Sequence, residues 1–403
     1  MCAVPLPPAL RRWWPLFKRL HRALTRISGA FNRFLAVFLS DRGVPRGVSE
    51  RSVDTARLEQ QHVVVHPAGP AELVRRTPVV GVPAGHWVFD EEPSANLPPG
   101  FVLDVTDGRL AGDFGAVVTP GNRLDHETSR YFGTWDWREH PVYLRPTLGE
   151  VEHVEGTVLS LANRGTSGNY YHFLYDAIAR YGLFEEALEG THLDAVIVPH
   201  RSGYQRQLLE LAGIPGPYLQ PDRGKVFRAD RLLVPNNPNW ALQAPPQMVD
   251  WLRKRLAPKN PPTDRVRLFL TRGTTPTTRI YVEEAALMAV LEPRGFLRLD
   301  PGTLSVQEQI DVFSKAEIIV APHGAGLTNV TFSPPDVKVL EMFASTYVHR
   351  GLYAICQALG ADYRYLVADG RGGPDGPNAG IADDVSIPVE RVVAQIEELL
   401  AAR

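Results

Sequence analysis

The 403-residue chain has few cysteines and lacks the short motifs of several large enzyme classes. Its two cysteines, Cys2 and Cys356, cannot build a disulfide framework or a cysteine-based zinc site. The sequence has no Walker-type phosphate loop, no Gly-x-Ser-x-Gly elbow and no HExxH helix. These absences disfavour P-loop NTPases, α/β-hydrolases and zinc proteases.

Long apolar runs are also missing. The longest uncharged apolar run, 34–39, is far shorter than the ~18 residues that a membrane-spanning helix needs. Hydrophobic residues nevertheless make up 44% of the chain and charged residues 22%, which is typical of a folded protein. At ~100–200 residues per domain, the length predicts two domains.

The first forty positions contain no acidic residue. Their basic residues are Arg11, Arg12, Lys18, Arg19, Arg22, Arg26 and Arg33. Because the net charge is −2 and these positions contribute +7, the rest of the chain carries −9. An acidic remainder offers no extended basic surface, so nucleic acid is not an expected partner.

The same segment carries large apolar residues at alternating spacings of four and three, which predicts one face of a helix. They are Trp13, Phe17, Leu20, Leu24, Ile27, Phe31, Phe34 and Phe38. An aromatic-rich face opposite arginines is typical of a helix lying in a membrane interface. We therefore expect peripheral membrane contact through residues 11–39, with the protein in the cytoplasm at the inner face of the cell membrane. The alternatives are a helix packed on its own protein or a partner, and a transit peptide of similar composition.

The pattern after residue 40 predicts a linker and two α/β domains. Residues 41–76 are polar and are predicted to form the linker. Residues 77–256 are predicted to form an N-terminal α/β domain, in which small strands precede alternating strands and helices. Three prolines within 257–264 mark the boundary to a doubly wound domain over 263–403. Ligands of such sheets bind beyond the carboxyl ends of the strands, so the residues just after each strand are the candidates.

The predicted strand 317–320 is followed by a turn that suits a phosphate. Its sequence is Ala321-Pro-His-Gly-Ala-Gly-Leu-Thr-Asn329. Gly324 and Gly326 let the backbone approach a ligand, the following helix offers amides, and His323 adds a donor. Asn329 stands where the dinucleotide fingerprint has its third glycine, so a nicotinamide cofactor is not favoured. The alternative is a tight turn without a ligand.

Three further charged residues follow strand ends. Arg272 and Arg279 could neutralise a diphosphate, although solvated surface arginines are the alternative. Glu341 ends an apolar strand, where its carboxylate needs a partner. A ribose diol is one such partner, and a salt bridge to a nearby arginine is the other.

The segment 168–180 predicts a helix with His172, Asp176 and Arg180 on one face at i, i+4 and i+8. His172 could be a general base oriented by Asp176, or Asp176 could itself be the base. The alternative is a structural ladder of the three side chains.

Taken together, these segments resemble glycosyltransferase family 61. The matching motifs are Asn169-Tyr-Tyr-His-Phe with Asp176 and Arg180, Leu270-Thr-Arg272 with Arg279, 304–317, 319–329, Pro334-Pro and Val339-Leu-Glu341. The similarity covers roughly residues 130–367. This chain departs from the family at 273–278, where the family is often more basic.

The resemblance implies a GT-B fold, in which two Rossmann-like α/β domains face a cleft, here preceded by the amphipathic helix. It implies an inverting transferase that uses a nucleotide-sugar, usually a UDP-sugar, and requires no metal or other cofactor. The residues that it places on the donor are Arg272, Arg279, His323, Gly324, Ala325, Gly326, Asn329 and Glu341. Those on the acceptor side are Asn169, Tyr171 and Arg180, with His172 and Asp176 catalytic.

The expected acceptor is a glycan or a lipid-linked saccharide, in the synthesis of capsule, exopolysaccharide or cell-surface glycan. Two other functions remain open at this stage. One is a different GT-B-like transferase that modifies polysaccharide, such as a pyruvyl transferase, and nucleotide binding would separate it from a glycosyltransferase. The other is a non-catalytic scaffold that binds glycan or nucleotide.

Overall fold

The computed structural model describes residues 13–39, 42–90, 94–130, 136–239, 241–260, 262–273, 279–370 and 380–402. Arg11, Arg12 and most of the 273–278 segment therefore lie outside the described residues. The chain is a mixed α/β structure with parallel strands, as the sequence predicts. It divides into unit 1, which comprises Met1–Phe17, Leu73–Ala95 and Leu242–Arg403, and unit 2, which comprises Lys18–Glu72 and Asn96–Ala241.

The elements are numbered in chain order. The strands are β1 (Gly47–Ser49), β2 (Val63–Pro67), β3 (Glu72–Arg75), β4 (Val80–Val82), β5 (Ser94–Leu97), β6 (Phe101–Ala111), β7 (Ala116–Val118), β8 (Arg123–Asp125), β9 (Glu150–Ser160), β10 (Ala195–Ile197), β11 (Tyr218–Leu219), β12 (Lys225–Pro235), β13 (Val266–Leu270), β14 (Phe296–Leu299), β15 (Ala316–Pro322), β16 (Lys338–Phe343) and β17 (Asp362–Val367). The α-helices are α1 (Trp14–Leu35), α2 (Ser52–Leu58), α3 (Trp87–Asp90), α4 (Tyr170–Phe173), α5 (Ala179–Ala187), α6 (Gly203–Leu211), α7 (Pro246–Leu256), α8 (Glu284–Leu291), α9 (Val306–Phe313), α10 (Gly351–Leu359) and α11 (Val389–Ala401).

The sheet of unit 1 is parallel throughout, in the order β14-β13-β15-β16-β17-β4. Its central strands are continuous apolar runs, such as Ile318–Val320, whose side chains are buried on both faces of the sheet. The chain places β14 on one side of β13 and then β15 on the other. The strand order therefore reverses between β13 and β15, and the carboxyl ends of these two strands form the ligand-binding position of such a sheet.

Strand β4 and helix α7 of unit 1 come from outside the stretch predicted as the C-terminal domain. Strand β4 pairs in parallel with β17, from Arg364↔Val80 to Leu366↔Val82. Helix α7 also belongs to unit 1. The division thus differs from the predicted boundary near residue 257, because an apolar pattern identifies a strand or a helix but not the sheet or core that receives it.

The sheet of unit 2 is mixed, in the order β1-β8-β7-β6-β12-β9-β10-β11, with β2 also paired to β6. Strand β12 is antiparallel to β6 and parallel to β9. The β9–β11 side carries the strand–helix alternation that the sequence predicts, and the β6–β8 side is an antiparallel meander. The stretch 41–76, predicted as a linker, contains β1, α2, β2 and β3. Ser52 and Thr55 of α2 donate hydrogen bonds to the buried Asp125 carboxylate.

Helix α1 lies within the stretch whose periodicity predicts a helix. In the part of the chain that the structure describes, no helix is both long and apolar enough to cross a bilayer.

Candidate active site

Two chain segments meet at the switch point of the unit 1 sheet. Thr271 and Arg272 follow β13, and His323 and Gly324 follow β15. The Thr271 hydroxyl donates to Oε2 of Glu284 at 2.9 Å, which holds the backbone that presents Arg272. The guanidinium of Arg272 occupies the space beside Gly324, where a Cβ would collide with it. Gly324 has extended backbone, so the sequence needs glycine here for close approach rather than for an unusual conformation.

Arg272 and Arg279 are neighbouring cations that form no salt bridge within the part of the chain that the structure describes. Burial, together with the nearby charge of Arg279, lowers the pKa of Arg272 to about 10. Burial also lowers the pKa of Arg279. No carboxylate of the described residues forms a salt bridge with either guanidinium, and Nε of Arg272 is buried without a hydrogen-bond partner. Because an uncompensated buried cation is unfavourable, this pair is a position where an anion would be stabilised.

The backbone near His323 holds Arg279 in place. Nε of Arg279 donates to the carbonyl oxygen of His323 at 3.0 Å, and Nη1 donates to the carbonyl of Ile381 at 2.5 Å. The guanidinium carbon lies 5.0 Å from the centroid of the Tyr347 ring. Carbonyl dipoles and a ring face stabilise the cation without neutralising it, so its full charge remains available.

Glu341 and His323 form a buried pair. Nδ1 of His323 lies 2.5 Å from Oε1 of Glu341, and the Tyr363 hydroxyl donates to Oε2 at 2.6 Å. The Glu341 side chain is fully buried, which raises its pKa to about 8. Burial and the charges of Arg279 and Arg272 lower the pKa of His323 well below its ordinary value. Both carboxylate oxygens of Glu341 thus have partners within the protein. The contact between Glu341 and a ribose stays a prediction, and it would require one of these hydrogen bonds to break.

The side chain of Asn329 forms hydrogen bonds within the protein. Its buried amide donates to Oε1 of Gln309 at 2.7 Å and to the carbonyl of Gly326 at 3.2 Å. The bond to Gln309 joins the 3-10 helix Ala325–Phe332 to α9, and the bond to Gly326 lies within that 3-10 helix. Ala325 and Gly326 begin this helix and are half-buried. Their contact with a nucleotide stays a prediction, as does that of Asn329.

In unit 2, the motif around His172 forms a short helix and a π-helical turn. The side chain of Asn169 caps α4 by accepting from the backbone N–H of His172 at 3.3 Å. The π-helical turn Leu174–Ile178 follows α4 before α5 begins. Such turns place an extra residue in a helix and occur frequently at functional sites. Gly165, at φ +90°, leaves room for the His172 ring, which a Cβ there would crowd.

His172 and Asp176 make the contact that the sequence predicts. Nδ1 of His172 lies 2.7 Å from Oδ2 of Asp176, and Nδ2 of Asn239 donates to Oδ1 at 2.9 Å. Asn239 also lies 3.3 Å from the Tyr171 hydroxyl. The carboxylate is therefore held on both oxygens, and Nδ1–H of the imidazole can be donated to it. In that tautomer Nε2 carries the lone pair.

The guanidinium of Arg180 does not bind the Asp176 carboxylate, so the three side chains do not form the ladder considered above. The side chain of Arg180 is fully buried, and it donates to the carbonyls of Pro235, the last residue of β12, and of Asn236. Its Nη1 donates to the backbone carbonyl of Asp176 at 3.1 Å, not to the carboxylate. Arg180 therefore connects the helix to the end of β12.

The structure brings the predicted residues together in two clusters, one in each unit. Arg272, Arg279, His323, Gly324 and Glu341 cluster in unit 1, and Asn169, Tyr171, His172 and Asp176 cluster in unit 2. Sequence reasoning missed Tyr363 and Asn239. Asn239 belongs to a polar run after β12, which could have singled it out, whereas Tyr363 gives no local signal because it begins an ordinary strand.

Comparison of the sequence with known protein families identifies a match. The model of the family Glycosyltransferase 61 matches residues 170–340. Residues 170–340 are a glycosyltransferase family 61 region. The region contains His172, Asp176, Arg272, Arg279 and His323, while Asn169 and Glu341 lie directly beside it. The resemblance inferred from the motifs is thereby confirmed.

One curated relative shares a short part of the chain. It is a beta-1,2-xylosyltransferase, RCN11, of Oryza sativa subsp. japonica, and it is 39% identical over 44 residues. These residues are 11% of this chain and 8% of the rice protein. Within the described residues, no group of three or more His, Cys, Asp and Glu side chains is placed to hold a metal ion.

Proposed function

We propose that the protein is an inverting glycosyltransferase. It would transfer a sugar from a UDP-sugar to a hydroxyl of a glycan or polysaccharide, in the synthesis of capsule, exopolysaccharide or cell-surface glycan. The family 61 region and the short similarity to a xylosyltransferase support a glycosyltransferase in general. The single observation that carries the proposal is the pair Arg272 and Arg279 at the switch point of a parallel sheet, with no acidic partner among the described residues. GT-B organisation and independence from metal belong to the same proposal.

The charges of Arg272 and Arg279 suit the negative charge that develops on the leaving diphosphate. The acceptor oxygen attacks the anomeric carbon, and the bond from that carbon to the diphosphate oxygen breaks. The electron pair leaves with the nucleoside diphosphate, which gains negative charge as the bond breaks. Positioned cations stabilise this charge more in the transition state than in the ground state, and such contributions reach about 2.7–4 kcal/mol for one donor. Arg272 and Arg279 would supply the cations, and His323 a hydrogen-bond donor.

The proton of the acceptor hydroxyl needs a base. In the tautomer set by Asp176, Nε2 of His172 would accept this proton, and the carboxylate would stabilise the resulting imidazolium. The alternative is that Asp176 accepts the proton itself. A well-placed general base contributes about 10²–10⁴-fold to the rate.

Nucleotide titration of the full chain tests the donor half of this proposal. The ligands are UDP, GDP, CMP and NAD, each with and without Mg²⁺ and measured by calorimetry. We expect selective UDP binding that does not depend on the metal. In Arg272→Met the UDP affinity should fall at least tenfold, since a charge-assisted contact is lost.

Arg267→Met is the matched control. Arg267 lies on the same strand, β13, but its guanidinium pairs with Glu317 and it belongs to no proposed site. Its loss should leave UDP affinity unchanged. If the wild-type chain binds none of the four nucleotides, the assignment of the switch point to a nucleotide-sugar is wrong.

A further inference from the structure

Helix α1 packs on unit 2 through its small and polar side. Thr25, Gly29, Asn32 and, just after the helix, Ala36 are buried. Nδ2 of Asn32 donates to the carbonyl of Tyr143 at 2.8 Å. Gly29 permits close packing, because a Cβ there would lie 3.1 Å from Cβ of Tyr143. The side of the helix that faces the protein is thus the less apolar one.

The large apolar side chains point the other way. Those at the centre of the exposed face are Leu20, Leu24, Ile27, Phe31, Phe34 and Phe38, and they are 55–73% exposed. At about 100° per residue, Ile27 lies roughly 180° around the helix from Ala36. We call these six residues the apolar face of α1, although Phe38 lies in the 3-10 turn Ala36–Phe38 that directly follows the helix. Soluble monomers rarely expose a continuous apolar surface of this kind unless it binds something.

Three arginines beside the apolar face, Arg22, Arg26 and Arg33, hold α1 in this orientation. Nη2 of Arg26 lies 2.8 Å from Oε1 of Glu139, and Nε of Arg22 lies 3.6 Å from Oε2 of the same residue. The guanidinium of Arg33 lies 4.7 Å from the centroid of the Trp137 ring. These contacts oppose rotation of the helix about its axis, so the apolar face is a fixed surface.

The charges of residues 1–40 indicate which kind of partner could bind the apolar face of α1. Residues 1–40 contain seven basic and no acidic side chains. A second copy of α1 would bring arginines against arginines, without a carboxylate on either helix to pair with them. An anionic lipid surface offers the opposite charge and an apolar interior beneath it. Arg19 is exposed beside the apolar face and forms no salt bridge with a described residue, whereas Arg22 and Arg26 are about half exposed and pair with Glu139 and Asp136.

We propose that the apolar face of α1 binds the surface of an anionic membrane, with the helix lying in the interface plane. The phenylalanine and leucine side chains enter the boundary between headgroups and acyl chains, and the exposed Arg19 contacts lipid phosphates. The inference stands on the orientation of the helix and on the charges, and it does not depend on the proposed transferase activity. The helix is too polar to cross the bilayer, so binding is peripheral and reversible.

Vesicle flotation of the full chain tests the proposal. Vesicles of phosphatidylcholine alone are compared with vesicles of phosphatidylcholine mixed with phosphatidylglycerol. We expect binding that is stronger on the mixed vesicles and weaker at high salt. The variant Ile27→Glu/Phe31→Glu should bind at least tenfold less, because it places two carboxylates in the centre of the apolar face.

The control variant is Leu58→Glu/Leu297→Glu. It adds the same charge by replacing two apolar side chains that are 62% and 53% exposed and lie outside α1. It should float like the wild-type chain, and both variants should unfold at the wild-type denaturant concentration. Equal flotation of the Ile27→Glu/Phe31→Glu variant and the wild-type chain overturns the proposal. A wild-type dimer by light scattering that this variant converts to a monomer, with no vesicle binding, also overturns it and identifies the face as a self-interface.

Discussion

Nδ1 of His323 and Oε1 of Glu341 lie 2.5 Å apart at the carboxyl ends of two adjacent strands, in a site where the Glu341 side chain is fully buried. Burial raises the pKa of Glu341 to about 8 and lowers that of His323. The two shifts together mean that the pair holds one proton and no net charge over a wide pH range. When an anion binds near His323, the shared proton can move onto the imidazole, which would then be a cation beside Arg272 and Arg279.

The pair predicts how stability depends on pH. In the unfolded chain the ordinary pKa values are 4.5 for the glutamate and 6.5 for the histidine. Between these values both states bind one proton, so the pair contributes no pH dependence. From 6.5 to about 8 the folded pair keeps a proton that the unfolded chain has lost. The free energy of unfolding should therefore decrease as the pH rises through this window.

Urea unfolding between pH 5 and pH 9 measures this effect. The comparison is the double variant Glu341→Gln/His323→Asn, which lacks both titrating groups. The wild-type chain should lose stability relative to this variant from about pH 6.5 to about pH 8 and change little from pH 5 to pH 6. A difference that stays constant from pH 6 to pH 9 would contradict the shared proton. Tyr347, Tyr363, His349 and Cys356 also lie near the pair, and both proteins retain them.

Gly324 and Arg272 provide a second prediction. Because a Cβ at Gly324 collides with the guanidinium, Gly324→Ala should displace Arg272 and weaken UDP binding at least tenfold. In an Arg272→Met background the same substitution should have little further effect, because the displaced group is already gone. Calorimetry of the four proteins of this cycle measures the coupling.

Gly326→Ala is the matched control for that cycle. A Cβ at Gly326 would lie 3.3 Å from Cγ of Pro301 and would not contact Arg272. We expect a smaller loss of UDP affinity, equal in both backgrounds. Full additivity of Gly324→Ala and Arg272→Met would show that the glycine acts independently of the arginine.

The third prediction separates the two candidate bases. His172→Ala should leave UDP affinity unchanged and reduce transfer from a UDP-sugar by about 10²–10⁴-fold, because the base is lost and the donor contacts are not. UDP-glucose, UDP-xylose and UDP-N-acetylglucosamine are the first donors to assay, with UDP release as the readout. Near-normal turnover in His172→Ala would make the histidine structural and Asp176 the base.

Arg180 gives the fourth prediction, on stability. Its guanidinium is fully buried and donates to carbonyl oxygens at the end of β12 and in the π-helical turn that precedes α5. Arg180→Met should lower the free energy of unfolding by about 2–4 kcal/mol, because several buried carbonyls lose their donor. Urea unfolding tests this, with Arg206→Met as an exposed control. A loss below about 1 kcal/mol would mean that these bonds contribute little.

Much of the fold of unit 1 follows from local patterns. Strand β15 was predicted within about two residues, since a continuous apolar run is a property of neighbouring residues. The polar turn after β15 was found in the same way, because ligand sites of parallel sheets follow strand ends. The partners of these residues were not predictable. Tyr363 reaches Glu341 only because β17 pairs with β16, and strand pairing is a long-range property.

The sequence by itself therefore determined the α/β class, the family 61 motifs and the amphipathic periodicity of residues 13–38. Tertiary structure decided what those features contact. It added β4 to the unit 1 sheet from a position far upstream in the chain, and it turned Asn329 and Arg180 toward partners inside the protein. It also set the polar side of α1 against unit 2, which left the apolar face of α1 exposed. The physical reason is the same in each case: periodicity records which residues share a face, and only packing decides what that face meets.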